Sequence, residues 1–223
     1  MRSPAFALAP ILLCLLVAAT PAQEAAHWRV GAARVDVTPT EAIRLSGYGG
    51  RREETDRVVQ PLFVRALAVD DGVGGPALLL AVDNVGVPAW LVEQTAQRIT
   101  SELKVPRARF CLTSSHTHSG PMLRGSIPNM FGEPVPEEHQ QRIDRYTDAL
   151  SEHLFTAARE ALANLRPGQL TWGRGSVPFA LNRRTAKGPV DHDLPVLAAT
   201  ASDGSLIALV ANYACHCTTL GGG

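Results

Sequence analysis

The sequence predicts an α/β fold, a mixed β-sheet flanked by helices, on three observations. A hairpin signal sits at Asp71, Gly72, Val73, Gly74 and Gly75. A near-continuous apolar run follows it from Pro76 to Val82. Two amphipathic helical stripes are separated by a short run that reads as a strand. Hairpins give antiparallel pairs and strand–helix–strand crossovers give parallel ones, so both belong in one sheet.

The elements follow in order. Trp28 to Val37 alternates and is rich in Val and Ala, which reads as a strand ending at Thr38-Pro39, and a glycine-rich loop comes next. Leu62 to Asp70 is a second strand, paired through the hairpin signal with a third at Pro76 to Val82. The third strand is apolar throughout, which predicts cover on both faces. Pro88 opens a helix to about Leu103, with Leu91, Thr95, Ile99 and Leu103 on one stripe. Ala108 to Ser115 is a strand that runs straight into His116. After Pro136, Ile143, Tyr146, Leu150, Leu154, Ala157, Ala161 and Leu165 mark a longer helix that stops before Pro167-Gly168. Strands are then expected at Gln169 to Pro178, Pro195 to Thr200 and Leu206 to Cys217, the last two joined by a turn at Ser202, Asp203 and Gly204.

Composition narrows the function. The chain has 223 residues, 45% of them hydrophobic, with 21 basic and 21 acidic side chains. A neutral chain lacks the basic surplus of a phosphate-neutralising protein, so nucleic acid is not an expected partner, and its apolar content excludes a disordered chain. Arg2, the apolar run Ala5 to Ala19 and the small residues Thr20, Pro21 and Ala22 form a signal peptide over residues 1–22. A helix of about 15 residues spans only ~22 Å of a ~30 Å hydrocarbon layer, so this leader does not cross the bilayer as an anchor. No later stretch is long enough to span. Export, to the periplasm or out of the cell, is expected. Three cysteines remain after cleavage, Cys111, Cys215 and Cys217, too few and odd in number for a disulfide scaffold.

Two segments carry chemistry. In Ser114 to Pro121 (SSHTHSGP), strand alternation would project His116 and His118 the same way from a strand end, where they can flank a metal. The plainer alternative is a hydroxyl-rich surface turn. In Asn212 to Thr219 (NYACHCTT), either Cys215 and Cys217 are thiolate ligands or His216 is a ligand with the cysteines facing away; alternation favours His216. Packed cysteines beside a histidine are the structural alternative.

Together these segments resemble the neutral/alkaline non-lysosomal ceramidase family. The likeness rests on Val30, Gly31, Ala32 and Ala33 with Val35, Asp36, Val37, Thr38 and Pro39; on Ser46, Gly47, Tyr48 and Gly49; on the segment Ser115 to Pro121; on Asn182-Arg183; and on Asn212 to His216, in the family's order. It covers nearly the whole chain after the leader. The resemblance implies a zinc-dependent amidohydrolase that cleaves the N-acyl amide of ceramide-like sphingolipids, a lipid substrate met at a membrane surface. It implies Zn2+ held by His116 and His216. His118 is then a catalytic group touching the activated water or the substrate, and Arg183 a cation that orients substrate or stabilises an oxyanion. Gly47, Tyr48 and Asn182 are implied on the substrate side. The family's other ligands, a glutamate and a tyrosine, fall beyond Gly223. Residues 23–223 are therefore expected to be the N-terminal portion of a catalytic domain, with little turnover alone. Pro121, Met122, Leu123 and Arg124 replace the family's glycine-rich continuation.

Other polar residues have plainer readings. Asp83 and Asn84 end the central strand as caps or as groups orienting a histidine. Arg51 and Arg52 could meet an anionic headgroup, but Glu53 and Glu54 beside them favour a solvated charge cluster; Asp191, His192 and Asp193 invite a metal reading, with a charged loop before a strand favoured. His139 and His153 fall on the long helix, and His27 says little. A second class remains open: a non-catalytic exported module that binds a lipid or glycan. The leader is directly testable. Amino-terminal sequencing of the exported protein should read from Gln23, and a product that retains residues 1–22 would remove the export argument.

Overall fold

A computed structural model describes residues 28–216 and Thr218. The leader, His27 and Cys217 lie outside the described residues. The elements are β1 (Trp28–Asp36), β2 (Ile43–Arg44), β3 (Glu54–Thr55), β4 (Phe63–Asp70), β5 (Ala77–Val82), α1 (Ala89–Leu103), β6 (Phe110–Ser114), α2 (Glu137–Ala163), β7 (Arg166–Ser176), β8 (Asp193–Ala201) and β9 (Leu206–Ala211). Seven strands form one sheet in the order β6-β5-β4-β1-β7-β8-β9, and β2 pairs with β3 in a small second sheet. β5 and β6 are parallel, with α1 as their crossover, and the other pairs of the large sheet are antiparallel. The mixed α/β sheet is as the sequence predicts.

The core follows from period-2 and period-3.6 patterns meeting on one face. Val64, Ala66 and Ala68 of β4 and Leu78, Leu80 and Val82 of β5 point at Leu91 and Ile99 of α1 and at Leu150, Leu154, Ala157 and Ala161 of α2. Pro88 and Pro136 precede α1 and α2 in extended conformation, and Glu137 and Glu138 in the first turn of α2 suit its positive end. Tyr146 of α2 donates a hydrogen bond to Val37 O at 2.8 Å, tying the helix to the end of β1.

The opposite face of the central strands is covered differently from the expectation of cover by helices. β8 and β9 reach back to β1, and Leu197, Ala199 and Ile207 pack with Val30, Leu67 and Leu79. The sheet's own far end supplies the second layer. This fold-back carries the chain after β9 toward the residues that follow β6.

Three boundaries differ from the sequence reading. Pro167-Gly168 lies inside β7, where Trp28↔Gly168 and Arg29↔Pro167 pair at the start of the strand. A single 3-10 turn, Arg107–Arg109, stands where the β6 strand was expected to begin. β9 stops at Ala211, and the segment after it is irregular: Tyr213 stacks on Phe179 with centroids 4.6 Å apart, and its hydroxyl bonds to the backbone of Val177 and Ala180.

One contact fixes how closely α2 approaches the sheet. A Cβ on Gly31 would lie 2.1 Å from Ala161 O and 2.8 Å from Leu165 N, both backbone atoms. Gly31→Ala should therefore destabilise the protein by about 1–3 kcal/mol in a urea titration, the usual cost of overpacking that side-chain rotation cannot relieve.

Candidate metal centre

Three histidines from distant parts of the chain converge. His116, His118 and His216 each present a ring nitrogen, and the three nitrogens lie within 4.8 Å of one another. Ring centroids are 4.9 Å apart for His116 and His118, 4.9 Å for His116 and His216, and 4.7 Å for His118 and His216, all edge-on. Among the described residues no other group of three His, Cys, Asp or Glu side chains is arranged to hold a metal.

The first two rings reach this arrangement by a turn, which corrects the expectation from strand alternation. β6 ends at Ser114, and His116 takes a left-handed backbone conformation with φ 57°. A left-handed non-glycine residue costs of order 1–3 kcal/mol, so the surroundings must hold it there. Several contacts do. Ser115 N donates to Val82 O at 3.0 Å, and the His116 Nδ1 lies 2.5 Å from Val85 O. Asn84, buried at the end of β5, donates its amide to Pro121 O at 2.9 Å and fixes the far side of the loop.

His118 is held by a second device. Its Nδ1 lies 2.9 Å from Gly47 O, its ring meets the Tyr48 ring edge-on at 5.1 Å, and its carbonyl accepts from Arg51 Nη1 at 2.7 Å. The strip carrying Gly47, Tyr48 and Arg51 is bound to the histidine loop by Ser46 N→Gly120 O at 3.0 Å and Met122 N→Arg44 O at 2.8 Å. Its base is the β2–β3 pair, which α2 grips through Arg142–Glu54 at 2.9 Å and Arg145–Glu41 at 2.8 Å. Gly47 has φ 108°, and a Cβ there would lie 2.6 Å from the His118 ring. Glycine is required on both counts.

These carbonyls set the tautomers. A carbonyl oxygen only accepts, so His116 and His118 carry their protons on Nδ1 and turn bare Nε2 lone pairs inward. The two Nε2 atoms are 3.4 Å apart. Facing lone pairs repel unless a proton or a cation lies between them, and backbone carbonyls on the outer nitrogens are the usual partners of metal-ligating imidazoles.

His216 arrives from the segment after β9, and Arg183 Nη1 stands 3.1 Å from its Nδ1. Its pKa is lowered, first by desolvation against its neighbours, then by the charge of Arg183 and by His118 and His116. The ring therefore stays neutral at pH values where an ordinary histidine has begun to protonate, with its Nδ1 lone pair facing Arg183.

The other expected groups sort themselves. Asn182 accepts from Arg184 N at 3.1 Å and Thr185 N at 2.9 Å and donates to Pro189 O at 3.1 Å, so its amide shapes the loop that presents Arg183. Asp83 accepts from Phe63 N at 3.0 Å and Arg65 at 2.8 Å, away from the histidines. His192 contacts Ala180 O at 3.1 Å, and Asp193 pairs with Arg174. His139 faces Glu54 at 3.7 Å. Arg51 is part of the histidine scaffold, against its reading as a solvated charge; only its place after the glycine-rich loop hinted at this. The role of Val85 is carried by a backbone carbonyl and leaves no side-chain signal.

No protein-family model matches the chain, and no curated protein matches it. Solved structures do. The chain has the α/β fold of neutral ceramidase structures. It is similar to a neutral ceramidase from Pseudomonas aeruginosa at 20% identity and TM-score 0.69, over 87% of this chain and 33% of that one. It is similar also to a ceramidase complexed with C2, at 19% identity and TM-score 0.67, over 86% of this chain and 32% of that one. The chain thus spans about a third of the length of those proteins.

The scaffold makes a specific prediction. Gly47→Ala should push the His118 ring from its place and weaken binding of a divalent cation about 10–100-fold, as loss of an outer partner of a ligand does. Competition with a chromophoric chelator measures it; unchanged affinity would show that the Gly47 carbonyl plays no part.

Proposed function

We propose that this protein is an exported zinc-dependent amidohydrolase that cleaves the N-acyl amide of a ceramide-like lipid. The observation that carries the reading is the convergence of three imidazoles, two of them with their tautomers set by backbone carbonyls. The likeness in fold to ceramidase structures supports the substrate class. His116 and His216 hold the ion, and His118, whose ring nitrogen lies within 4.8 Å of theirs, stands where it touches the activated water or the substrate or adds a third donor. Bound zinc supplies a water acidified to a pKa of about 7 and a polarised carbonyl.

The chain's own groups do the rest. Arg183, the cation nearest His216, stabilises charge developing on the amide oxygen, for which one donor contributes ~3 kcal/mol. Tyr48, edge-on to His118, forms the mouth of the site. Beside the histidine loop a cavity of about 740 Å³ is lined by the apolar Leu45, Val58, Val59, Leu62 and Pro121 and by the charged Glu41, Arg51, Asp56, Arg57, Arg65 and Asp83, with none of the three histidines in its wall. Val58 and Val59 are exposed. The charged part of that wall suits the polar head of a substrate met at a membrane surface more than its acyl chain. No helix among the described residues is long and apolar enough to cross a membrane.

Metal analysis tests the reading. The chain should bind one zinc ion, and His116→Ala or His216→Ala should abolish stoichiometric binding; a wild-type protein without bound metal would favour the non-catalytic lipid- or glycan-binding module. His118→Ala separates two roles. Loss of zinc makes His118 a ligand, whereas retained zinc makes it a group acting on the water or substrate.

A further inference from the structure

The three histidines are not held alike. His116 and His118 turn Nδ1 to carbonyl oxygens, at 2.5 Å from Val85 O and 2.9 Å from Gly47 O. His216 turns Nδ1 to Arg183 Nη1 at 3.1 Å. A guanidinium only donates, so here Nδ1 must accept, and the proton of the neutral ring sits on Nε2. Two rings are preset for a cation and the third is set against one.

We propose that Arg183 and a divalent cation compete for His216, so that metal loading and release of the Arg183 guanidinium are one coupled event. The inference rests on the zinc site proposed above. It holds whichever nitrogen becomes the ligand. If Nδ1 binds the metal, Arg183 occupies its lone pair. If Nε2 binds, the ring must move its proton to Nδ1, where it would face a donor and a positive charge.

Thr218 provides the alternative partner. Its Oγ1 lies 3.4 Å from His216 Nδ1 and 3.4 Å from Arg183 Nη1. A hydroxyl accepts as well as donates, so once the guanidinium swings away Thr218 can accept Nδ1–H, as Val85 O and Gly47 O do for the other rings. When Nε2 becomes the ligand, its proton passes to solvent water and a proton from solvent adds at Nδ1, so the ring stays neutral; when Nδ1 becomes the ligand, only hydrogen bonds and the metal–nitrogen contact change. The freed guanidinium is then available to the substrate only when the metal is in place.

The test uses zinc alone, titrated into the chain against a chromophoric chelator. Arg183→Met and Arg183→Gln should each bind zinc more tightly than wild type, by about tenfold, the scale on which outer partners of ligands tune affinity. Equal or weaker binding by both variants overturns the competition while leaving the zinc site standing. No zinc binding by wild type or variants overturns both. A measurement that needs no variant is the long-range nitrogen–proton spectrum of the imidazoles in metal-free wild type. His216 should carry its proton on Nε2, and a proton found on Nδ1 overturns the inference.

Discussion

The centre depends on two hydrogen bonds from imidazole Nδ1 atoms to backbone carbonyls, those of Val85 and Gly47. They decide where the protons of His116 and His118 sit, and so they turn two Nε2 lone pairs toward each other at 3.4 Å. Such an apposition is unfavourable in itself and becomes favourable when a cation fills the gap. Much of the surrounding structure serves to hold those carbonyls and rings in register.

That support is layered. The Val85 carbonyl is placed by the end of β5, where Asn84 is buried and bonded to Pro121 O. The Gly47 carbonyl is placed by a strip whose base is clamped to α2 by arginine–carboxylate pairs. Glu54 is well shielded from water, so its pairing with Arg142 is less screened than the pairs on the outer surface. Exposed pairs such as Arg124–Asp148 contribute little, as pairs at the surface generally do. The free-energy cost of the left-handed His116 is offset by these hydrogen bonds together rather than by any single contact.

The third imidazole belongs to a different layer. Its segment rests on the loop after β7 through Tyr213 and Phe179 and comes near β6 because β8 and β9 curl back over the central strands. A histidine cluster divided in this way joins two halves of the sheet, and a cation bound to it would favour the folded form because the unfolded chain holds no such array. Arg183 lies on the same loop system, so its guanidinium stands at one edge of the three histidines.

What the sequence determined by itself was periodic: the strands from alternation and apolar runs, the helices from stripes at three and four residues, the turns from glycine. It also offered His116, His118 and His216 as candidate ligands through two short motifs, whereas Arg183 entered only through the family resemblance. Tertiary structure decided what no period encodes. The shared direction of His116 and His118 comes from a left-handed turn and not from an extended strand. Pro167 and Gly168 enter β7 because pairing with β1 overrides their local preference. Arg51 became part of the scaffold because a carbonyl lay 2.7 Å away, and Val85 acts through its backbone alone. Contacts between residues tens of positions apart depend on where the sheet folds back, and that is set by packing of the whole core.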